Sequence, residues 1–231
     1  ITREVFENVP VWLKVAFYTV IPVVIVYGAF LFAQRMKNWV RGGPDRRDLT
    51  PKNAKKRMEN LRAGLYMQTL LRDPAAGIMH SMIYFGFLVL LAVTTVLEIN
   101  HQLPEGAKFL HGTLYQAYSF VGDAAGVVFT AGVVWAIVRR YVVKQPYRIR
   151  IKTKPEHALI LGVLLLIGVS GFLAEGARIA LENQPSYEKA AFVGWGLSYA
   201  FDGLNDSALD AVQLVLWSIH VLSFVAFLLI L

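Results

Sequence analysis

The stretch LDAVQLVLWSIHVLSFVAFLLIL (209–231) carries one acidic residue near its start and is otherwise almost continuously apolar. A helix needs roughly 20 mostly apolar residues to cross the hydrocarbon of a bilayer. The sequence therefore predicts an all-α integral membrane bundle of about five transmembrane helices in one domain. The other four predicted spans are similarly apolar and lie at about 11–33, 77–97, 117–138 and 158–173.

The overall composition supports the same class. Hydrophobic residues make up 56% of the chain and charged residues 17%, whereas soluble domains are about a quarter charged. The chain has no cysteine, which excludes disulfides, cysteine-ligated iron–sulfur clusters within this chain and covalent haem attachment. A redox centre held here would therefore depend on His, Met, Tyr or carboxylate side chains.

The positive charge is concentrated in two loops. Of the 23 Lys and Arg residues, eleven lie in loop 34–76 and seven in loop 139–154. Cytoplasmic loops of membrane proteins carry an excess of Lys and Arg, so both loops are predicted to be cytoplasmic and the N-terminus to lie outside. This placement predicts contact with anionic lipid headgroups and a cytoplasmic partner, and not with nucleic acid.

Three smaller features accompany the spans. Residues 52–71 are predicted to form a surface helix, and the acidic segment 175–210 is expected to contain a short helix at the outer interface. The surface helix carries a stripe on one face that consists of Met58, Leu61, Leu65 and Gln68.

The chain begins at Ile1 and ends in an uncapped apolar run, so we expect it to be part of a longer polypeptide.

Two histidines lie within predicted spans. His80 lies one turn into the second span, and His220 lies about eleven residues into the fifth. A histidine at lipid depth is costly unless it faces the bundle interior and has a partner. Two neutral imidazoles on different helices provide the axial ligands of a non-covalent b-type haem, and each donates its other N–H to a carbonyl or hydroxyl group. The alternative for each is a histidine that only forms hydrogen bonds between helices.

The two histidines are predicted at different depths. His80 lies near the cytoplasmic face, and His220 lies roughly 16 Å below the outer end of its span at the rise of an α-helix. One haem shared by both, or two haems stacked across the membrane, are the alternatives. In the stacked arrangement, the inner haem would pair His80 with a histidine beyond Leu231.

The remaining three histidines lie at helix ends or in loops. His101 and His111 bracket the outer loop, and either is a candidate ligand opposite His220. His111 is preferred, because it lies where the third span enters the membrane. His157 is predicted to be a surface residue at the start of the fourth span.

Ionisable residues inside or near the spans are few. Asp123 is a candidate for quinone binding or proton transfer, because a carboxylate at lipid depth is usually functional. Its alternative is an interfacial helix residue. Glu175 and Arg178 are weaker candidates for the same role, since two residues three apart on a helix can simply pair.

A set of dispersed motifs covers residues 65–231. They include LLRDPAAGIMH (70–80), GDAAG (122–126), GVSGFLAEGARIA (168–180) and WSIH (217–220). Together they resemble the nitrate reductase gamma-subunit-like cytochrome b domain. The variant they resemble is fused to, or partnered with, an iron–sulfur module that carries cysteine-rich (CCG) repeats. Heterodisulfide-reductase-like proteins and the membrane oxidoreductase that links electron-transfer flavoprotein to quinone are of this kind.

The resemblance implies one or two b haems and electron exchange with menaquinone or ubiquinone in a bacterial inner membrane. His80 and His220 match the family's ligand positions. A second ligand ten residues after the first is replaced here by Leu90, for which His111 is our substitute. Iron–sulfur clusters are then expected only outside this segment, in a soluble module after residue 231 or on a partner, with electron-transfer flavoprotein as a further partner.

Two other functions remain open at this stage. A haem-free membrane anchor of a redox complex would make His80 and His220 replaceable without loss of assembly. A small transporter would require paired charges or broken helices near mid-bilayer, and the sequence offers only the glycines of the fourth span.

Overall fold

The computed structural model describes residues 5–6, 9–41, 48–68, 70–143 and 154–230, and within these ranges the chain forms helices and no strand. Parts of both basic loops, at 42–47 and 144–153, lie outside the described residues. The α-helices are α1 (Val11–Val40), α2 (Pro51–Leu65), α3 (Pro74–Gln102), α4 (Gly112–Ile137), α5 (Pro155–Leu181), α6 (Phe192–Ser198) and α7 (Asp206–Ile230).

Helices α1, α3, α4, α5 and α7 are each long and apolar enough to cross a membrane. The prediction of an all-α protein with five such helices is confirmed. Each of these helices extends beyond its predicted span at one end or at both. The predicted spans cover the apolar runs, whereas the helices end at polar and proline residues outside those runs. At the start of α3, for example, Asp73 accepts a hydrogen bond from the Ala76 amide at 3.2 Å, and Pro74 occupies the first helical position.

Glycines bring α3 and α4 into close contact. A Cβ atom placed on Gly86 would lie 2.8 Å from Cβ of Phe129, and one placed on Gly132 would lie 2.9 Å from Cβ of Met82. Both distances are too short for carbon atoms, so only glycine allows this approach. Small residues serve the same purpose in other helix pairs within membranes.

The half of the bundle nearer the basic loops, which we call the inner half, has an apolar core. Phe129 and Val133 of α4 are fully buried and pack with Leu164 of α5. Phe87 of α3 and Phe227 of α7 close this core, with ring centroids 5.3 Å apart. Four helices therefore meet around one apolar cluster.

The first helix packs at the periphery of this bundle. Its outer half touches α7 through Phe17 and Trp217, whose ring centroids are 5.8 Å apart. It also touches α3, where the Tyr18 hydroxyl donates to Glu98 at 2.9 Å. Most of the apolar side chains of α1 remain exposed, as is usual for a helix that faces lipid.

Candidate redox site

His220 lies in the middle of α7, against a surface of α5 that lacks side-chain bulk. A Cβ atom on Gly171 would approach the imidazole Cε1 to 3.1 Å. The Nδ1 atom lies 3.1 Å from the carbonyl oxygen of Ile167 and 3.2 Å from Oγ of Ser170. The ring is thus held by one turn of α5.

These contacts determine which ring nitrogen is available. A backbone carbonyl can only accept, so the bond to Ile167 requires a proton on Nδ1 of His220. In the neutral ring, Nε2 then carries the free lone pair. A histidine oriented through Nδ1–H to a carbonyl is the usual form of an imidazole that binds a metal.

The residues around His220 fit the binding of a b-type haem through one of its two axial ligands. The imidazole is half-buried, its tautomer is fixed, and Gly171 leaves α5 without a side chain at the point where the ring packs against it. The chain supplies from α7 one neutral nitrogen donor of the kind that binds haem iron.

His80 has different surroundings. It is exposed, and no side-chain hydrogen bond joins it to any other described residue. At about 100° per residue, His80 lies on the same face of α3 as Phe87 and Glu98, which contact α7 and α1 respectively. His80 therefore lies on the face of α3 that is turned toward α7, but nearer the inner end than Phe87.

A common depth can be set from helix contacts. Gly86 of α3 lies beside Phe129, and Gly168 of α5 lies beside Thr130, the next residue of α4. Gly86 and Gly168 are therefore at nearly the same level in the bundle. Distances along each helix can be measured from this level with the rise of about 1.5 Å per residue.

The two predicted haem ligands lie at clearly different levels. Gly171, beside the His220 ring, is three residues outward of Gly168, and His80 is six residues inward of Gly86. The sum is about 13 Å along the bundle axis. Since both axial nitrogens must bond directly to the same iron, His80 and His220 are too far apart to ligate one haem.

His111 lies farther still from His220. It precedes the first residue of α4, is exposed, and is 19 residues outward of Thr130. Its level is therefore about 24 Å outward of the His220 ring. This distance along the axis does not agree with the prediction that His111 and His220 ligate the same haem.

The remaining two histidines, His101 and His157, lie at the periphery of the bundle. His101 packs edge-on against Phe6, with ring centroids 5.7 Å apart. His157 is in the first turn of α5 and half-buried. Leu90, where the resemblance stated above would place a second ligand, packs against the apolar core and provides no nitrogen donor.

Arg178 lies in a buried ionic cluster at the outer end of α5. Its Nη1 atom is 2.7 Å from Glu182 and 2.9 Å from Glu188, and Glu188 is fully buried. Tyr115 of α4 donates to the same Glu188 oxygen at 2.6 Å. The carboxylates that form ion pairs with Arg178 here are those of Glu182 and Glu188.

Tyr187 completes the cluster from the segment after α5. Its hydroxyl donates to Glu182 at 3.4 Å. Burial and the adjacent carboxylates of Glu182 and Glu188 raise the pKa of the Tyr187 phenol. Tyr187 therefore remains a hydrogen-bond donor at neutral pH.

Asp123 is buried but has a structural role. Its Oδ2 atom accepts hydrogen bonds from the backbone amides of Val193 at 2.6 Å and Gly194 at 3.4 Å. These amides are in the first turn of α6, so Asp123 caps this helix from α4. Glu175 packs against Gly194, whose added Cβ would lie 2.6 Å from Cγ of Glu175.

Several residues of these sites could not be identified from the sequence. Ser170 lies in a motif that we recognised as a whole, but nothing marked it as the contact of His220. Glu188 and Tyr115 are in a loop segment and at a helix end, and only tertiary packing brings them to Arg178. Among the described residues, no group of three or more His, Cys, Asp or Glu forms a metal site, although haem ligation requires only two side chains.

The chain is similar to parts of several oxidoreductases. It is 30% identical over 159 residues to EtfAB:quinone oxidoreductase of Syntrophomonas wolfei, which covers 65% of this chain and 22% of that protein. It is 22% identical over 210 residues to the probable iron-sulfur-binding oxidoreductase FadF of Bacillus subtilis, or 89% of this chain and 29% of that protein.

A third relative comes from Methanosarcina thermophila. The chain is 29% identical over 115 residues to one component of its dihydromethanophenazine:CoB–CoM heterodisulfide reductase, which covers 48% of this chain and 42% of that component. The chain thus spans less than half the length of these curated relatives. No family model and no solved structure matches it. The relatives agree with the expected iron–sulfur and electron-transfer-flavoprotein systems, whereas likeness to the nitrate reductase gamma subunit stays a prediction.

Proposed function

We propose that this chain is a haem b-containing membrane domain that passes electrons between a cytoplasmic iron–sulfur or flavoprotein donor and the membrane quinone pool. The observation that carries the proposal is the environment of His220. Its Nδ1 atom is bonded to Ile167 and Ser170, so Nε2 is free to bind iron. The partial similarity to quinone- and heterodisulfide-linked oxidoreductases supports the same class.

In this proposal, the bound haem supplies reversible one-electron chemistry. The protein holds and orients the ligand: Ile167 fixes the tautomer of His220, Ser170 limits rotation of the ring, and Gly171 lets α5 and α7 approach. His80 would serve a separate, inner haem, since about 13 Å along the axis separates it from His220.

For the quinone, the structure favours Arg178 over the other candidates. Arg178 and Gln213 are each seven residues outward of the contact between Gly171 and His220, on adjacent antiparallel helices. They therefore share a level about 10 Å outward of His220. Arg178 Nε and Nη2 and Gln213 Oε1 are buried, and none has a hydrogen-bond partner in the described part of the chain. A quinone headgroup accepts through its carbonyls and, once reduced, donates through its hydroxyls, which matches this donor and acceptor set.

The positions of the basic loops and of the Arg178 cluster support a proposed orientation of the chain in the membrane. The basic loops would face the cytoplasm and the donor, and the Arg178 cluster would face outside. The proposed location is a bacterial inner membrane. The soluble iron–sulfur module would belong to the same polypeptide or to a partner, and electron-transfer flavoprotein is the proposed upstream donor.

The test is a dithionite-reduced minus oxidised absorbance spectrum of detergent-purified protein. We expect a b-type spectrum for the wild type, and a reduced or absent spectrum for His220→Ala. His157→Ala is the matched control, since it removes a histidine from the same kind of helix without a predicted ligand role. Its spectrum should equal that of the wild type.

Two results would count against haem binding by His220. A colourless wild-type protein with intact helices would contradict electron transfer by this chain and favour a haem-free membrane anchor. Equal loss of haem in His157→Ala and His220→Ala would mean that both variants lose haem because the protein is destabilised. Transport by this chain has no observation in its favour among the described residues.

A further inference from the structure

Helix α2 makes no extensive contact with another α-helix in the described part of the chain, and it presents an apolar stripe to its surroundings. Met58, Leu61 and Leu65 are 64%, 56% and 51% exposed. They recur at the spacing of one helix face. None of the residues of α2 is buried, so this stripe is not covered within the described structure.

The charges of α2 are arranged around this stripe. Arg57 and Arg62 lie about 70° to either side of its centre, whereas Lys52 and Lys56 lie about 150–170° away, on the opposite side. Glu59 is the helix's one acidic residue. Long basic side chains at the boundary of an apolar face can extend to headgroup phosphates while their stems cover apolar surface.

The connections of α2 keep it close to the membrane. Residues 41–50 join it to α1 and residues 66–73 join it to α3, and both of these helices are long and apolar enough to cross the bilayer. Tyr66, directly after α2, is exposed and lies under the Arg62 guanidinium at 5.8 Å from its ring centroid. Tyrosine next to arginine is typical of the membrane–water interface.

We propose that α2 is an interfacial helix that binds the anionic phospholipid surface on the side of the basic loops. Met58, Leu61 and Leu65 would enter the headgroup–acyl boundary, and Arg57 and Arg62 would bind lipid phosphates. Apolar insertion and electrostatic attraction together govern such binding, which therefore depends on lipid charge. A protein partner would not require the two arginines to flank the stripe on both sides.

Residues 1–231 contain no cysteine, so a cysteine introduced into this segment is labelled alone. Single cysteines at Leu61→Cys, on the stripe, and Asn60→Cys, on the opposite side, are labelled with a nitroxide in the chain of residues 1–231. The protein is reconstituted into vesicles of phosphatidylcholine alone, or of phosphatidylcholine mixed with phosphatidylglycerol. Collision rates of the label with oxygen and with a water-soluble nickel chelate then report its depth.

We expect the label at position 61 to lose nickel accessibility several-fold in the phosphatidylglycerol vesicles, and the label at position 60 to remain in water in both. Combining Leu61→Cys with Arg57→Gln and Arg62→Gln should abolish most of this lipid dependence. The matched pair Lys52→Gln and Lys56→Gln removes the same charge from the far side and should reduce it less.

Three outcomes would overturn the proposal. A label at position 61 that stays in water in both vesicles would leave the stripe for a protein partner. Equal immersion in both vesicles would mean that apolar insertion alone holds the helix. Equal effects of the two double substitutions would mean that the flanking arginines have no special role. Circular dichroism of each variant confirms that its helices are intact.

Discussion

The inner and outer halves of the bundle are held together by different forces. In the inner half, glycine allows α3 and α4 to pack within carbon–carbon contact around Phe129. In the outer half, Arg178, Glu188 and Asp123 are buried, and their charged hydrogen bonds join separate segments of the chain. The contrast suggests that the inner half tolerates little added volume, and the outer half little loss of charge.

The largest expected effect is from Arg178→Met. This change leaves Glu182 and Glu188 close together without a cation, and breaking a buried ion pair costs about 3–5 kcal/mol. Unfolding in mixed detergent, followed by circular dichroism, measures the loss. Lys189→Met is the control, because it removes the same charge from an exposed residue. Lys189 lies 5.7 Å from the ring centroid of Trp195, and loss of such an exposed cation–π contact should cost less than about 1 kcal/mol. Equal effects would contradict the structural role of the outer cluster.

Gly86→Ala tests the inner half. The added Cβ would lie 2.8 Å from Cβ of Phe129, and such overpacking costs about 1–3 kcal/mol. Gly162→Ala is the matched change on α5, where no atom lies within 4 Å of the added Cβ. We expect Gly162→Ala to be neutral or stabilising, because alanine favours a helix over glycine by about 0.8–1 kcal/mol. The same unfolding measurement compares the two variants, and destabilisation by both would argue against close helix contact as the cause.

The smallest expected effect is from Asp123→Ala. It removes the acceptor of the Val193 and Gly194 amides, and loss of a helix cap costs about 0.5–2 kcal/mol. Amide hydrogen exchange should increase in α6 first and leave α5 unchanged. A loss of haem or of quinone reactivity without faster exchange in α6 would instead support the sequence-based interpretation of Asp123 as a functional carboxylate.

The sequence was sufficient to predict the helices but not their contacts. Continuous apolar runs predicted the five long helices, because crossing a bilayer sets both length and composition. The depth difference between His80 and His220 also followed from residue counting. Local spacing offered Glu175 as an alternative partner of Arg178. The structure brings Glu182 and Glu188 to Arg178, and Glu188 comes from the segment after α5, which folds back over α4.

Asp123 illustrates the same limit. A carboxylate at lipid depth predicts function in general, but the amides it caps are 70 and 71 residues away. No pattern near Asp123 in the sequence could have indicated that partner. Ser170 was likewise inside a recognised motif, and only the packing of α7 on α5 assigns it a contact.

The central claim is that His220 holds haem, at a level separate from His80. Pyridine haemochrome quantitation of haem per protein, in wild type, His80→Ala, His220→Ala and the double variant, tests it most directly. We predict that His220→Ala loses haem even when His80 is intact, and that any haem remaining in it is lost in the double variant. Full haem content in His220→Ala would contradict the claim.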